Sequence, residues 1–102
     1  MTNTPRVDGH TLNLEKRTLK NGSGNHHLTH LETRLLHALM RRRGQVVTRK
    51  ALMKEVWNTG YVDDTRTLDA RICWLRKKLE EDAHRPVYLR TVRGVGYRFA
   101  AK

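Results

Sequence analysis

Acidic residues are scarce in this chain of 102 residues: 10 Asp and Glu stand against 21 Lys and Arg, a formal net charge of +11. An excess of that size on one small domain points to a polyanion, nucleic acid first and an anionic membrane surface second. Cysteine is nearly absent. Cys73 stands alone, which excludes an intrachain disulfide and fits a reducing cytoplasm. No apolar run approaches the roughly 20 residues of a membrane span, and no signal-peptide core follows Met1. A convergent set of acid, base and electrophile is also missing. A small nuclease built on Asp63, Asp64 and a histidine is therefore not the expectation, and no catalytic residue, cofactor or metal is assigned. What is present suffices for one folded domain: 37% hydrophobic residues, with two Trp and three Tyr.

The chain is organised around T-R-T-L-D-A-R-I-C-W-L-R-K-K-L, Thr65 to Leu79. Leu68, Ile72, Leu75 and Leu79 recur at helical spacing and form one buried stripe. At about 100° per residue, Arg66, Ala70, Cys73 and Lys77 fall opposite, flanked by Asp69 and Trp74, with Arg71 and Arg76 further round. A solvated face would more often mix Glu with Lys at i, i+4. Here the acids wait until Glu80, Glu81 and Asp82. Cations for phosphates, small residues for close approach and a few side chains for base edges are what a helix entering a DNA groove needs.

Ahead of that helix, Met1 to Pro5 reads as linker or remnant, and residues 6–102 as the domain. From Arg6 to Leu28 the pattern is short and strand-like, with Leu12, Leu14 and Leu19 alternating with polar residues. Asn21 to Asn25 reads as a turn and His26 to Leu28 as the returning strand, together a small antiparallel sheet. Thr29-His30-Leu31-Glu32 is a capping box opening a helix with the apolar set Leu31, Leu35, Leu36, Leu39 and Met40. Arg41, Arg42 and Arg43 complement its dipole and Gly44 supplies a left-handed stop. Gln45-Val46-Val47 reads as an extended link. Thr48 then caps a second helix carrying Ala51, Leu52, Met53, Val56 and Trp57, with Gly60 ending it. Tyr61 to Asp64 forms the loop into the organising helix, which Asp64 or Thr65 caps. Two helices joined by a loop, the second basic on its outer face, make a helix-turn-helix. Beyond Pro86, Val87, Leu89 and Thr91 alternate with Tyr88 and Arg90, and Arg93-Gly94-Val95-Gly96 turns the chain into Tyr97-Arg98-Phe99. A helix-turn-helix followed by a basic hairpin is a winged helix, of class α+β.

From Leu28 to Phe99 the chain resembles the DNA-binding output domain of OmpR/PhoB-type response regulators. The resemblance rests on L-T-H-L-E-T-R-L-L, V-V-T-R-K-A-L-M-K-E-V-W, R-T-L-D-A-R-I-C-W-L-R-K-K-L and, most diagnostic, the hairpin R-T-V-R-G-V-G-Y-R-F. It implies a four-stranded N-terminal sheet, three helices and a C-terminal hairpin wing. It also implies sequence-specific binding of double-stranded DNA, as a head-to-tail dimer on direct repeats. The third helix, about 65–80, would take the major groove and the wing, 87–99, the backbone or minor groove. Carried over residue by residue, Arg66, Thr67, Asp69, Ala70, Arg71, Cys73, Trp74 and Arg76 match positions that face DNA in the third helix, with Lys77 beside them. Thr91 and Arg93 match the wing, with Arg90 beside them, while Tyr97 and Trp57 match positions that hold phosphates. Some members carry a basic residue where this chain has Cys73 and Trp74. Cys73 cannot make a bidentate guanine contact, and Trp74 offers apolar surface plus one donor. The family's usual receiver domain, with its acidic phosphoacceptor cluster, is absent from this sequence. Control by a sensor kinase is implied only for a longer parent, and RNA polymerase is a partner left open. A stand-alone regulator and a winged-helix protein-interaction module are the alternatives.

Other clusters take plainer readings. Asp63-Asp64 suits a helix cap better than a metal site. His26, His27 and His30 lack a Cys or acid at matching spacing, and His26 and His27 point to opposite faces of a strand, so they read as surface histidines. Cys73 reads as a small residue permitting groove approach rather than a redox switch.

Overall fold

Alternation in the first segment builds a sheet whose buried leucines join the core. The computed structural model describes residues 4–7, 9–57 and 66–99. Strands β1 (Arg6–Val7), β2 (His10–Asn13), β3 (Thr18–Asn21) and β4 (Gly24–His27) pair antiparallel in sequence order. Leu12 sits opposite Leu19, and both are fully buried while Thr11 and Lys20 turn outward. The turn is tighter than the sequence pattern suggests. Asn21 pairs with Gly24, so only Gly22 and Ser23 form the loop, and β4 ends before Leu28. Asn21 Oδ1 accepts from Ser23 N and Oγ at 3.0 and 2.7 Å, a side-chain closure that composition does not reveal.

Helix α1 (His30–Arg41) starts on the expected capping box: Thr29 Oγ1 accepts from Glu32 N at 3.1 Å, and Thr29 N donates to Glu32 Oε1 at 2.9 Å. Its Leu35, Leu36, Leu39 and Met40 are buried, and Leu31 packs partly buried against them. The helix is capped at Arg42, not at Gly44; the positive φ of Gly44 serves the following turn, where its N–H donates to Phe99 O at 2.9 Å. Val46 and Val47, expected with Gln45 as an extended link, belong to strand β5 (Val46–Thr48). Three residues are too few to show a period, and pairing with the distant hairpin supplies the hydrogen bonds.

Thr48 ends that strand and caps α2 (Arg49–Trp57), its Oγ1 accepting from Ala51 N at 3.1 Å. Leu52, Met53 and Val56 are buried, whereas Ala51, expected on the apolar side, is exposed. Gly60, the Tyr61–Asp64 loop and the Asp64 or Thr65 cap lie outside the described residues. The arginines ending α1 do more than complement its dipole. Arg41 and Arg42 reach the Glu55 carboxylate at 2.6 and 2.8 Å, and Arg34 donates to Glu55 O at 2.9 Å, tying α1 to α2.

Helix α3 (Arg66–Leu79) buries the expected stripe of Leu68, Ile72, Leu75 and Leu79. Strands β6 (Leu89–Val92) and β7 (Gly96–Phe99) form the wing, and the order β5-β7-β6 makes it three-stranded. The hairpin starts later than the alternation suggests. The buried Glu80 carboxylate accepts from the N–H groups of Val87, Tyr88 and Leu89 at 2.8, 3.0 and 2.7 Å, holding that backbone away from a ladder. Val87 is exposed as a result, although it alternates with Leu89, which is buried. The two tip glycines have different reasons. Gly94 takes φ 77°, while a Cβ on Gly96 would lie 2.0 Å from Val47 O, so only glycine lets β5 approach β7. Phe99 and Leu89 of the wing join Leu12, Leu19, the α1 leucines and the α3 stripe in one core. The architecture is a winged helix preceded by a four-stranded antiparallel sheet.

Candidate nucleic-acid interface

The buried stripe of α3 determines what remains outside. Arg66, Thr67, Ala70, Cys73, Trp74 and Lys77 are exposed, and Arg71 and Arg76 are half-buried. Lys77 Nζ lies 4.2 Å from the centre of the Trp74 ring, a cation–π contact. The single acid of α3, Asp69, is turned toward the wing. Its Oδ1 accepts from the Tyr97 hydroxyl, and from Arg49 Nε at 3.2 Å. The Arg49 guanidinium lies 5.1 Å above the Tyr97 ring and that of Arg76 lies 5.7 Å from it. Burial foremost, and then the neighbouring Asp69, pushes the Tyr97 phenol up to about 12.

Two further sets of bonds fix the C-terminal end of the helix. Arg76 Nε donates to Leu89 O at 2.9 Å and Nη2 to Thr91 Oγ1 at 2.8 Å, joining the last turn of α3 to β6. Lys78 Nζ donates to His27 O at 2.8 Å and to the buried Glu32 Oε1 at 2.9 Å. Asn21 Nδ2 reaches the carbonyls of Lys78 and Leu79 at 3.4 Å, where helix-end acceptors lack intrahelical partners. Burial alone would raise the Glu32 carboxyl, but the Thr29 N–H and the Lys78 ammonium outweigh it and hold it below its ordinary value. α3 is thus anchored at its first and last turns, while its front carries cations, small residues and an indole.

The expected residues fall into three groups. Arg66, Thr67, Ala70, Cys73, Trp74 and Lys77 share the exposed side of α3, with Arg71 at its margin. Arg90, Thr91 and Arg93 are exposed on the wing, Arg90 Nε also donating to Val87 O at 3.2 Å. Asp69, Arg76 and Tyr97 lie between helix and wing, bonded within the protein. Tyr97, which the resemblance gives a phosphate-holding part, is only 3% exposed and its hydroxyl is engaged with Asp69. Trp57 is half-buried against the core at the end of α2, apart from these groups. Sequence reasoning missed Arg49, Lys78 and Glu80. Their partners lie 20, 46 and about seven to nine positions away, and no periodic pattern connects them.

Among the described residues, no group of three His, Cys, Asp or Glu could hold a metal ion. His26 bonds Ser23 Oγ at 2.9 Å. Also among the described residues, no helix is long and apolar enough to cross a membrane.

Residues 23–99 match the family model described as "Transcriptional regulatory protein, C terminal". The sensory transduction protein RegX3 of Mycolicibacterium smegmatis is 53% identical over 64 residues, which are 63% of this chain and 28% of that protein. The chain therefore spans well under a third of this relative's length. The Klebsiella pneumoniae RstA DNA-binding domain, solved in complex with the RstA box, superposes with a TM-score of 0.84 at 32% identity, covering 97% of this chain and 98% of that one. The response regulator DrrB of Thermotoga maritima, an OmpR/PhoB homologue, has a TM-score of 0.83 at 29% identity, over 98% of this chain and 45% of that one.

Proposed function

This chain belongs to the family of C-terminal domains of transcriptional regulatory proteins, a family of DNA binders rather than enzymes, and from that premise we propose that it binds double-stranded DNA by sequence. The observation that carries the reading is the asymmetry of α3. Its acid is folded back onto Arg49 and Tyr97, and its outer side offers Arg66, Ala70, Cys73, Trp74 and Lys77. That side enters the major groove, while Arg90, Thr91 and Arg93 of the wing meet backbone or minor groove. Arg71, Thr67 and the Trp57 end of α2 stand at the phosphates. Asp69, Arg76 and Tyr97 act chiefly by setting the angle between helix and wing. The RstA domain bound to its box supports this use of the fold.

In a longer parent protein the domain would be the cytoplasmic output of a two-component system, controlled by a sensor kinase through a receiver domain and acting on RNA polymerase. One module of this kind buries only roughly 600–1,000 Å² of protein surface on DNA. Single half-sites should therefore bind weakly, and a head-to-tail dimer on direct repeats more tightly. Selection of bound sites from random duplexes, followed by gel shifts on one- and two-repeat probes, tests both claims. Enrichment of no sequence would overturn specific binding, and equal affinity per site on both probes would remove the tandem dimer. Affinity insensitive to salt would favour a protein-interaction module. Nicking of supercoiled plasmid in magnesium would instead reveal an enzyme.

A further inference from the structure

Trp74 is an anomaly on the face it occupies. Among the large exposed hydrophobic residues described, it alone lies on α3, and it is 56% exposed. Its neighbours one turn away are Ala70, which is small, and Lys77, whose ammonium sits 4.2 Å from the ring centre. Helical side chains lean toward the N-terminus, so the indole lies over the turn of Ala70, where little bulk stands between it and an approaching surface. A partner for this patch must present negative potential to the cations and an apolar group to the ring. In the major groove the thymine C5-methyl group is the apolar feature of the base edges, and it is flanked by phosphates. A purely apolar protein groove would leave the cations of the same face unmatched.

We propose that Trp74 is a specificity-determining residue that reads the methyl group of a thymine in the major groove, with Lys77 stacked on its ring and directed to the adjoining phosphate. The inference rests on the DNA-binding reading above and adds the chemical group recognised. Its position in the last half of α3, two turns beyond Arg66, places that thymine away from any base contacted by the helix start.

The test uses the best duplex selected from random sequence, resynthesised with deoxyuridine replacing one thymidine at a time. Deoxyuridine keeps every hydrogen-bonding group and removes only the methyl. At one position per half-site, the exchange should weaken binding by about fourfold, the size expected for losing one buried methyl group. Trp74→Ala should bind the thymidine probe more weakly and be indifferent to deoxyuridine at that position, while Trp74→Phe should keep part of the discrimination. Because Trp74 is exposed, thermal melting of both variants should match the parent. If every deoxyuridine penalty survives in Trp74→Ala, or none exists in the parent, the proposal is overturned although specific binding stands. Failure to enrich any sequence removes the DNA-binding reading and this inference together.

Discussion

At the scale of single residues, an arginine of α3 and a tyrosine of the wing illustrate different kinds of contribution. Arg66 is exposed in the first turn of α3, where recognition helices meet base edges. Its replacement by alanine should cost about 1–3 kcal/mol of specific binding and flatten one column of the selected motif, leaving non-specific binding mostly intact. Ile72→Ala, on the buried stripe, should instead lose about 2–5 kcal/mol of stability, so melting curves separate the two effects. Tyr97→Phe removes a hydrogen bond to a charged acceptor and should destabilise the domain by about 1.5 kcal/mol, since Asp69 keeps partial access to water. Its pH dependence has a definite sign. Folding raises the Tyr97 phenol to about 12 from the ordinary value of about 10, so its contribution is present below pH 10 and lost as pH rises toward 12. The stability gap between the parent and Tyr97→Phe, followed by urea denaturation, should narrow over that interval. A gap that widened would mean the phenolate, not the phenol, is the favoured partner.

At the scale of elements, the domain depends on joints between segments whose own patterns are short. The wing's third strand exists because Gly96 lacks a side chain: β5 and β7 pair with Val47 O where a Cβ would stand. Gly96→Ala should therefore lower the melting temperature and deprotect the amides of Val46–Thr48 to hydrogen exchange more than those of α1. Uniform loss of protection would show that β5 is not the element released. The α1–α2 joint at Glu55 responds to acid. Its hydrogen bond with Arg42, foremost among the causes, holds the Glu55 carboxyl below its ordinary value. A depressed carboxyl contributes stability above its unfolded pKa of about 4.3 and loses it as pH falls through the lower folded value. Stability should drop below about pH 5, and Glu55→Gln should flatten part of that drop. The pair is partly exposed, so salt should weaken its contribution.

At the scale of the whole molecule, charge determines how the domain meets its partner. The excess of 21 basic over 10 acidic residues predicts a steep fall of DNA affinity with salt. Arg93→Ala, at the exposed wing tip, should lower affinity for all duplexes and reduce the salt slope by about one unit. Loss confined to one sequence would instead make the wing a reader of bases.

Much of this arrangement was written in local pattern. The capping box at Thr29 and Glu32, the 3.6-residue stripe of α3 and the basic glycine hairpin each depend on neighbours within a dozen positions, so the sequence by itself determined three helices, an antiparallel start and a cationic outer face. Tertiary structure alone decided the rest, because its bonds join residues that no period links. Val46–Thr48 became a strand only when β7 supplied its partner, and Glu80 moved the start of β6 by claiming three backbone donors. Asp69 and Tyr97 look like surface contacts in one dimension, yet folding brings them together across 28 positions, with Arg49, between helix and wing. A buried phenol and a carboxylate that must find hydrogen-bond partners satisfy each other there, and so the outer side of α3 is left without an acid to repel DNA.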